Sequence, residues 1–308
     1  MIVFAGESLI DMVSDGHGSY VPHVGGSVLN SSIALGRLTG KSYYMGGVSY
    51  DQYGLLIKDY LDDSNVKQKF LIKVDRPTTL AYVDLDEKGV AKYRFEDDIS
   101  AGRLIDKQSL QPFVNSVKEA NAVLFGGISL QSEPCGTSWH WLVDQIYQDT
   151  VIFYDPNIRP KFIDDKSAYI ERFNDIVSKS NIVKISEEDA DYLFGTQLIG
   201  KQMQDWFDSG VNIVLHTLGE RGVRATLANG KVVEVTVDPV DVVDTIAAGD
   251  SFNAGLLYHL SQAKLLNSES LDSISASKLK DALCFANKIA RYTVSQKGAN
   301  PPRLYQVE

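Results

Sequence analysis

The chain has 308 residues, 44% of them hydrophobic, with a formal net charge of −10 and a pI near 5.0. That is enough apolar material for a sizeable core, which excludes a disordered chain, and enough length for one large α/β domain or two modest ones. No dense Lys/Arg run offsets the acidity, so neither nucleic acid nor an anionic membrane is an expected partner, and no stretch approaches the roughly 18 apolar residues of a membrane span.

The N-terminal "MIVFAGESLIDM" lacks a basic start and reads as one first strand rather than a signal peptide. "DMVSDGHGSYVPHV" reads as strand, glycine turn, strand. "SVLNSSIALGRL" then has helical spacing at Leu29, Ile33, Leu35 and Leu38. "GRLTGKS", Gly36 to Ser42, is close to a phosphate-cradling loop but one residue short of its spacing. It also sits in the wrong order, helix then turn then strand, so Gly40 is expected to cap the helix and Lys41 to be solvated. "TTLAYVDLDEKGVAKYRFE" reads as a hairpin with its turn near Glu87 to Gly89. Arg94 is expected to face outward on it.

From about residue 110 short apolar runs alternate with helical periodicity. The strands are "NAVLFGGIS", "VIFYDPNIR", "NIVKIS" and "VNIVLHTLG", with helices around Trp139–Tyr147, Tyr169–Val177 and Glu187–Phe194. This rhythm predicts a mostly parallel sheet covered on both faces. Ligands of such sheets bind beyond the C-terminal strand ends. "LANGKVV" is a further hairpin, and two helices close the chain, one beginning at Gly249 and one ending before Gly298. Cys135 and Cys284 are far apart and read as buried free thiols, which favours a reducing, cytoplasmic setting. Trp139, His140, Trp141 and His216 read as structural.

"DTIAAGDSFNAG", Asp244 to Gly255, carries the chemistry. Small residues lead into a helix N-terminus, whose unpaired N–H groups and partial positive charge suit a phosphoryl group. Asp250 in the first turn either takes a proton from an attacking hydroxyl or is simply an acid favoured by the helix dipole.

Together with other motifs this stretch resembles the ribokinase family, the PfkB-type carbohydrate kinases. "DTIAAGDSFNAGLL" resembles its C-terminal signature, and "GGSVLNSSIALGRLTGKSYYMGGVSYDQYG" its N-terminal one. "TLGERG" resembles its nucleotide loop, and "DPNIRP" and "VKISEEDADYLFG" also match. The resemblance spans about residues 2 to 302. It implies an α/β, ribokinase-like, doubly wound, mostly parallel sheet in three α/β/α layers. The chain would be a single domain over 1–308 with a small β-sheet lid from about 12–24 and 78–97.

By the same resemblance Asp250 is the base, and Ala247, Ala248, Gly249 and Asp250 form the anion hole. Asp11, after the first strand, with Gly25, Gly26 and Asn30, would hold sugar hydroxyls, and Arg159 would reach substrate or phosphate. Lys184, Ser186, Thr217, Gly219, Gly222 and Asn287 would border ATP. Mg²⁺ would accompany the nucleotide, with Ser186 and Asp189 standing where the family has Asn and Glu, so that Asp189 acts indirectly. Asp244, Ile246 and Gly298 would hold a monovalent cation such as K⁺. In "GVSYDQYG" Ser49-Tyr50 departs from the family pattern, and that segment receives no role. "KYRFEDDISAGRL" resembles a bacterial fructokinase branch. Asp97 there would accept from a neutral sugar and disfavour an acidic one, or be a solvated acid. The resemblance thus implies phosphorylation of fructose to fructose 6-phosphate. Ribose, 2-keto-3-deoxygluconate or a nucleoside are alternative acceptors, a sugar-sensing module is the non-enzymatic alternative, and a homodimer through the lid is a further expectation.

Overall fold

The computed structural model describes residues 1–85, 91–195 and 199–307. In chain order the elements are β1 (Ile2–Ala5), β2 (Leu9–Ser14), β3 (Tyr20–Gly25), α1 (Ser27–Thr39), β4 (Ser42–Ser49), α2 (Gln52–Asp63), β5 (Lys67–Val74), β6 (Leu80–Leu85) and β7 (Ala91–Glu96). Short helices α3 (Lys107–Leu110) and α4 (Val114–Lys118) follow. The next stretch alternates: β8 (Ala122–Gly126), α5 (Cys135–Ile146), β9 (Val151–Asp155), α6 (Lys166–Val177), β10 (Ile182–Ser186), α7 (Glu187–Phe194), α8 (Ile199–Asp208) and β11 (Ile213–Thr217). The chain then runs through β12 (Val223–Leu227), β13 (Val232–Val235), α9 (Ala248–Gln262), α10 (Ser268–Asp272) and α11 (Ala276–Val294).

Nine strands form one sheet in the order β13-β12-β11-β10-β9-β8-β1-β4-β5. Pairing is parallel from β5 across to β11, and antiparallel where β12 and β13 complete the edge. The central strands are buried on both faces, which is why they read as continuous apolar runs. Alternate residues feed two cores. Ile2, Phe4, Leu124, Phe153 and Ile213 pack with α1, α9 and α11. Val3, Ala5, Phe125, Tyr154 and Val214 pack with α5 and α6. The expected α/β fold, doubly wound around a mostly parallel sheet, is therefore present.

A second sheet of four strands has the order β3-β2-β6-β7. Its Leu9 and Ala81 pack against Ile128 and Phe162, which follow β8 and β9. The hairpin turn expected near Glu87 to Gly89 lies outside the described residues. "MIVFAGESLIDM" is not one strand. It divides at Gly6–Ser8 into β1 of the large sheet and β2 of the small one. Both halves are apolar, so periodicity hides the break. One consequence is that Asp11 lies within β2, opposite His23 and Ala81, rather than after the first strand. "GRLTGKS" closes α1: Gly40 is left-handed at φ 65°, its N–H donates to Gly36 O, and Lys41 is exposed. The outward placement of Arg94 also holds; its guanidinium lies 3.9 Å from the Tyr82 ring centroid and pairs with Glu96.

Gly36 shows how tightly α1 is seated. A Cβ there would stand 2.4 Å from Ser64 O and 2.6 Å from Val66 Cγ2. Alanine favours a helix interior by about 1 kcal/mol over glycine, whereas overpacking of this kind costs about 1–3 kcal/mol. We expect Gly36→Ala to lower stability in urea unfolding despite its better helix propensity. A higher midpoint would show that the Ser64–Val66 backbone yields freely.

Candidate active site

The sheet reverses its winding between β1 and β8. From β1 the chain proceeds to β4 and β5 on one side, and from β8 to β9, β10 and β11 on the other. Loops leaving such a pair diverge and open a crevice. Glu7, which the sequence reading left without a role, spans it. Its Oε1 accepts from Ser27 N at 3.0 Å and Ser27 Oγ at 2.8 Å, and its Oε2 faces Ser129 N at 3.5 Å. Helix α1 has no side-chain cap from its own N-cap Gly26, so Glu7 satisfies its first-turn donors from a distance. Burial pushes the Glu7 carboxyl up, and the hydrogen bonds from Ser27, Val28 and Ser129 oppose that rise. Gly127 is required beside it: at φ 64° it is left-handed, and a Cβ would fall 2.2 Å from Glu7 Oε1.

Seated this way, α1 aims Asn30 at α9. Asn30 Nδ2 donates to Asp250 Oδ2 at 3.1 Å across 220 positions of sequence. Asp250 is only 7% exposed and lies in the first turn of α9, where the helix dipole favours an acid. Burial is the main reason its carboxyl is pushed up to about 7; Lys184 and the Asn30 hydrogen bond lower it, while Asp155 and Glu7 raise it. The N-cap of α9 is Ala247 in the left-handed conformation, φ 61°. A non-glycine residue there stores about 1–3 kcal/mol of strain, a cost typical of functional turns.

On the small-sheet side, a Cβ on Gly25 would meet Asp11 Oδ2 at 2.2 Å, so the Asp11 carboxylate lies against the β3 end. Burial raises Asp11 to about 6. Gly26 follows at φ 106°. Asp97 is 8% exposed and is not a solvated acid. Its Oδ1 accepts from Thr79 Oγ1 at 2.7 Å and Ser100 Oγ at 2.8 Å, and its Oδ2 pairs with Arg103 at 3.1 Å. Arg159 is exposed after β9, with Nη1 on Ile158 O at 2.9 Å.

The remaining expected residues lie on β10, α7, the end of β11 and α11, and in the segments after β11, β13 and α11. Lys184 is buried on β10 in an ion pair with Asp155, which in turn accepts from Asn253 Nδ2 at 2.7 Å. Ser186 and Asp189 form a reciprocal capping box at the start of α7, and Asp189 Oδ1 also accepts from Ile158 N at 2.7 Å. Thr217, Gly219 and Gly222 form the tight turn from β11 into β12, with Leu218 N on Gly222 O at 2.8 Å. Asn287 on α11 is buried, and its Nδ2 has no acceptor among the described residues. Asp244 joins two loops: its Oδ1 accepts from Ile246 N and its Oδ2 from Gly298 N, both at 3.0 Å. The three residues expected around a monovalent cation are thus brought together.

A doubly wound sheet with a buried carboxylate at a helix N-terminus, facing a strand-end crevice, is the framework of a small-molecule phosphotransferase. The profile of the family described as "pfkB family carbohydrate kinase" matches residues 1–304, and the chain belongs to that family. It is 36% identical over 286 residues to a fructokinase of Rhizobium leguminosarum bv. trifolii, covering 91% of this chain and 86% of that protein. A Vibrio cholerae fructokinase structure holding fructose, ADP and calcium is 27% identical, with a TM-score of 0.83 and coverage of 99% and 98% of the two chains. A Xylella fastidiosa fructokinase structure with bound ATP has a TM-score of 0.91 at 24% identity, covering 99% and 96%, and shows the shared fold.

Glu7→Ala would strand the Ser27 and Ser129 donors, a loss of about 1–3 kcal/mol for each buried donor left unpaired. We expect a clear fall in the urea midpoint for Glu7→Ala and a smaller one for Glu7→Gln, which keeps an oxygen facing Ser27. Equal losses for the two would remove the acceptor role.

Proposed function

We propose that this carbohydrate kinase is an ATP-dependent fructokinase, transferring the terminal phosphoryl group of ATP to the 6-hydroxyl of fructose. The observation that carries the reading is the buried Asp250 carboxylate, steered by Asn30 at the N-terminus of α9. Resemblance to fructokinases, one of them seen with fructose and ADP, supports the acceptor.

In this reading Asp11, Gly25, Gly26 and Asn30 hold the sugar hydroxyls. Asp97 bounds the sugar from the small sheet with its charge shared by Arg103, and Arg159 serves substrate or phosphate. The small sheet closes as a lid and excludes water. Asp250 takes the hydroxyl proton as the oxygen bonds to the terminal phosphorus. The bond from that phosphorus to the bridging oxygen breaks, and ADP leaves with the electron pair. First-turn N–H groups at Ala247, Ala248, Gly249 and Asp250 stabilise the charge on the moving phosphoryl. Lys184, Ser186, Thr217, Gly219 and Gly222 border the nucleotide, and the unpaired Asn287 Nδ2 offers a donor to its base.

Mg²⁺ fits as an ion held mainly by phosphates, neutralising their charge. We assign Asp189 a water-mediated role: its Oδ2 accepts from Ser186 N and Oγ, and its Oδ1 from Ile158 N. A K⁺ ion fits beside Asp244, whose two oxygens each accept a single backbone bond. We place the enzyme in the cytoplasm, where ATP is available and its free thiols stay reduced; Cys135 is buried as expected, whereas Cys284 is exposed on α11. The small sheet would also join two copies, giving sedimentation at twice the 34.0 kDa chain mass.

ADP release should be fastest with fructose in a panel that includes ribose, 2-keto-3-deoxygluconate and a nucleoside; activity confined to the nucleoside would overturn the acceptor. Asp250→Asn should still bind sugar but turn over at least about 100-fold more slowly. Unchanged turnover would remove Asp250 from the chemistry, and sugar binding without turnover in the native chain would favour the sensing module.

The acid–base sign is also fixed. A carboxyl at about 7 accepts a proton only when ionised. Thus kcat/KM should fall by about tenfold per pH unit below that value and level off above it. A profile flat from pH 5.5 to 8.5 would contradict this.

A further inference from the structure

Lysine is rarely buried without a partner, and an ammonium beside a helix N-terminus opposes the dipole there. Lys184 is buried in an ion pair with Asp155 and lies beside such a terminus. Its side chain is 7% exposed, and a Cβ on Gly249 would stand 3.2 Å from its Nζ, so the ammonium lies against the backbone of the residue preceding Asp250. A position this unfavourable calls for a reason beyond packing, because an apolar pair of similar volume in place of a buried ion pair is often no less stable.

We infer that Lys184 is a positioning residue that acts through Asp250 as its counter-charge, and that Asp155 and Asn253 fix it in place. The inference rests on the reading of Asp250 as the base. Asp155 Oδ2 binds both Lys184 Nζ and Asn253 Nδ2, and Asn253 stands one turn beyond Asp250 on α9. The ammonium, the carboxylate that holds it and the base are therefore locked to one helix. Asn30 from α1 bonds Asp250 directly, and the charges that act on it are Lys184 from β10, Asp155 from β9 and Glu7 from the loop after β1. Among these neighbours Lys184 exerts the largest influence, favouring the ionised form, and Asp155 the next, opposing it. Gly249 keeps open the space the ammonium occupies.

The test is the pH dependence of kcat/KM for sugar in two single variants. Lys184→Met removes the counter-charge, so the acidic limb should move up by at least about one pH unit, an approximately tenfold loss at pH 6 beyond any change at pH 9. Asp155→Asn removes a like charge, so its limb should move down. Shifts of opposite sign are something a packing role would not produce. If either single variant fails to fold, Lys184→Met with Asp155→Asn leaves no uncompensated charge and should still shift the limb upward, because Lys184 is the stronger influence. A cooperative melting transition would confirm that each variant is folded. Limbs that stay put while rates fall evenly at every pH would overturn the inference. Should Asp250→Asn keep its turnover, the base itself falls; with Asp250→Asn inactive and the Lys184→Met limb unmoved, only the counter-charge falls.

Discussion

Burial of an ionisable carboxylate is the constraint around which this structure is arranged. A base must be ionised to accept a proton, yet removal from water disfavours the ionised form. Asp250 is buried enough for its carboxyl to rise to about 7. That makes it a far better proton acceptor than a solvated aspartate while leaving a useful ionised fraction near neutrality. Greater burial without a neighbour to oppose it would keep the proton on. Exposure to water would keep the carboxylate ionised but weakly basic. The surrounding groups tune one quantity between these limits.

Holding that balance demands fixed geometry, and the fixed points come from segments far apart in sequence. Asn30 reaches Asp250 only because α1 enters the crevice at one angle, and that angle depends on Glu7 bridging Ser27 and Ser129. Glu7 occupies its place because β1 and β8 are neighbours whose chains then part company. Asp51 makes a comparable tie at the small sheet. It caps α2 through Tyr53 N and Gly54 N, and it also binds Thr78 N at 2.8 Å and Thr78 Oγ1 at 2.7 Å, two residues before β6. Each tie uses a carboxylate to satisfy helix N-terminal donors and a second segment at once, so local helix capping and long-range placement are one interaction.

These ties explain what the sequence could and could not disclose. The alternating strands and helices were legible because strands buried on both faces must be apolar throughout. The N-terminus of α9 was legible because small residues preceding a helix leave room for an anion. Glu7 and Lys184 each interrupt an apolar run, "VFAGESLI" and "NIVKIS", and a lone charge in such a run is the signal of a buried partner. The partner itself, Ser27 or Asp155, is set by topology and cannot be read locally. The split of "MIVFAGESLIDM" was hidden for a related reason. The pattern of apolar residues continues across Gly6–Ser8 although the two strands belong to different sheets. Asp97 stood at the right place in the chain, but its burial with Thr79, Ser100 and Arg103 follows from how the small sheet rejoins the body.

Asp189 shows how a short acid can hold two segments of such a cleft at once. An aspartate at the third position of a helix is short enough to fold back on its own N-cap, and Asp189 does so with Ser186. Its other oxygen holds Ile158 N, which fixes the chain just after β9 beside Asp155. Burial and the nearby Asp155 charge both push its carboxyl up, and the bonds from Ile158 and Ser186 oppose that. An acid so fully engaged contributes rigidity to the strand ends rather than a free oxygen to the crevice. The positive groups nearest this end of the crevice are then the α9 N-terminus and the ammonium of Lys184 behind Gly249. The ammonium that adds to the positive field there also favours ionised Asp250, so in the proposed mechanism anion binding and base strength would be set by one arrangement of charge.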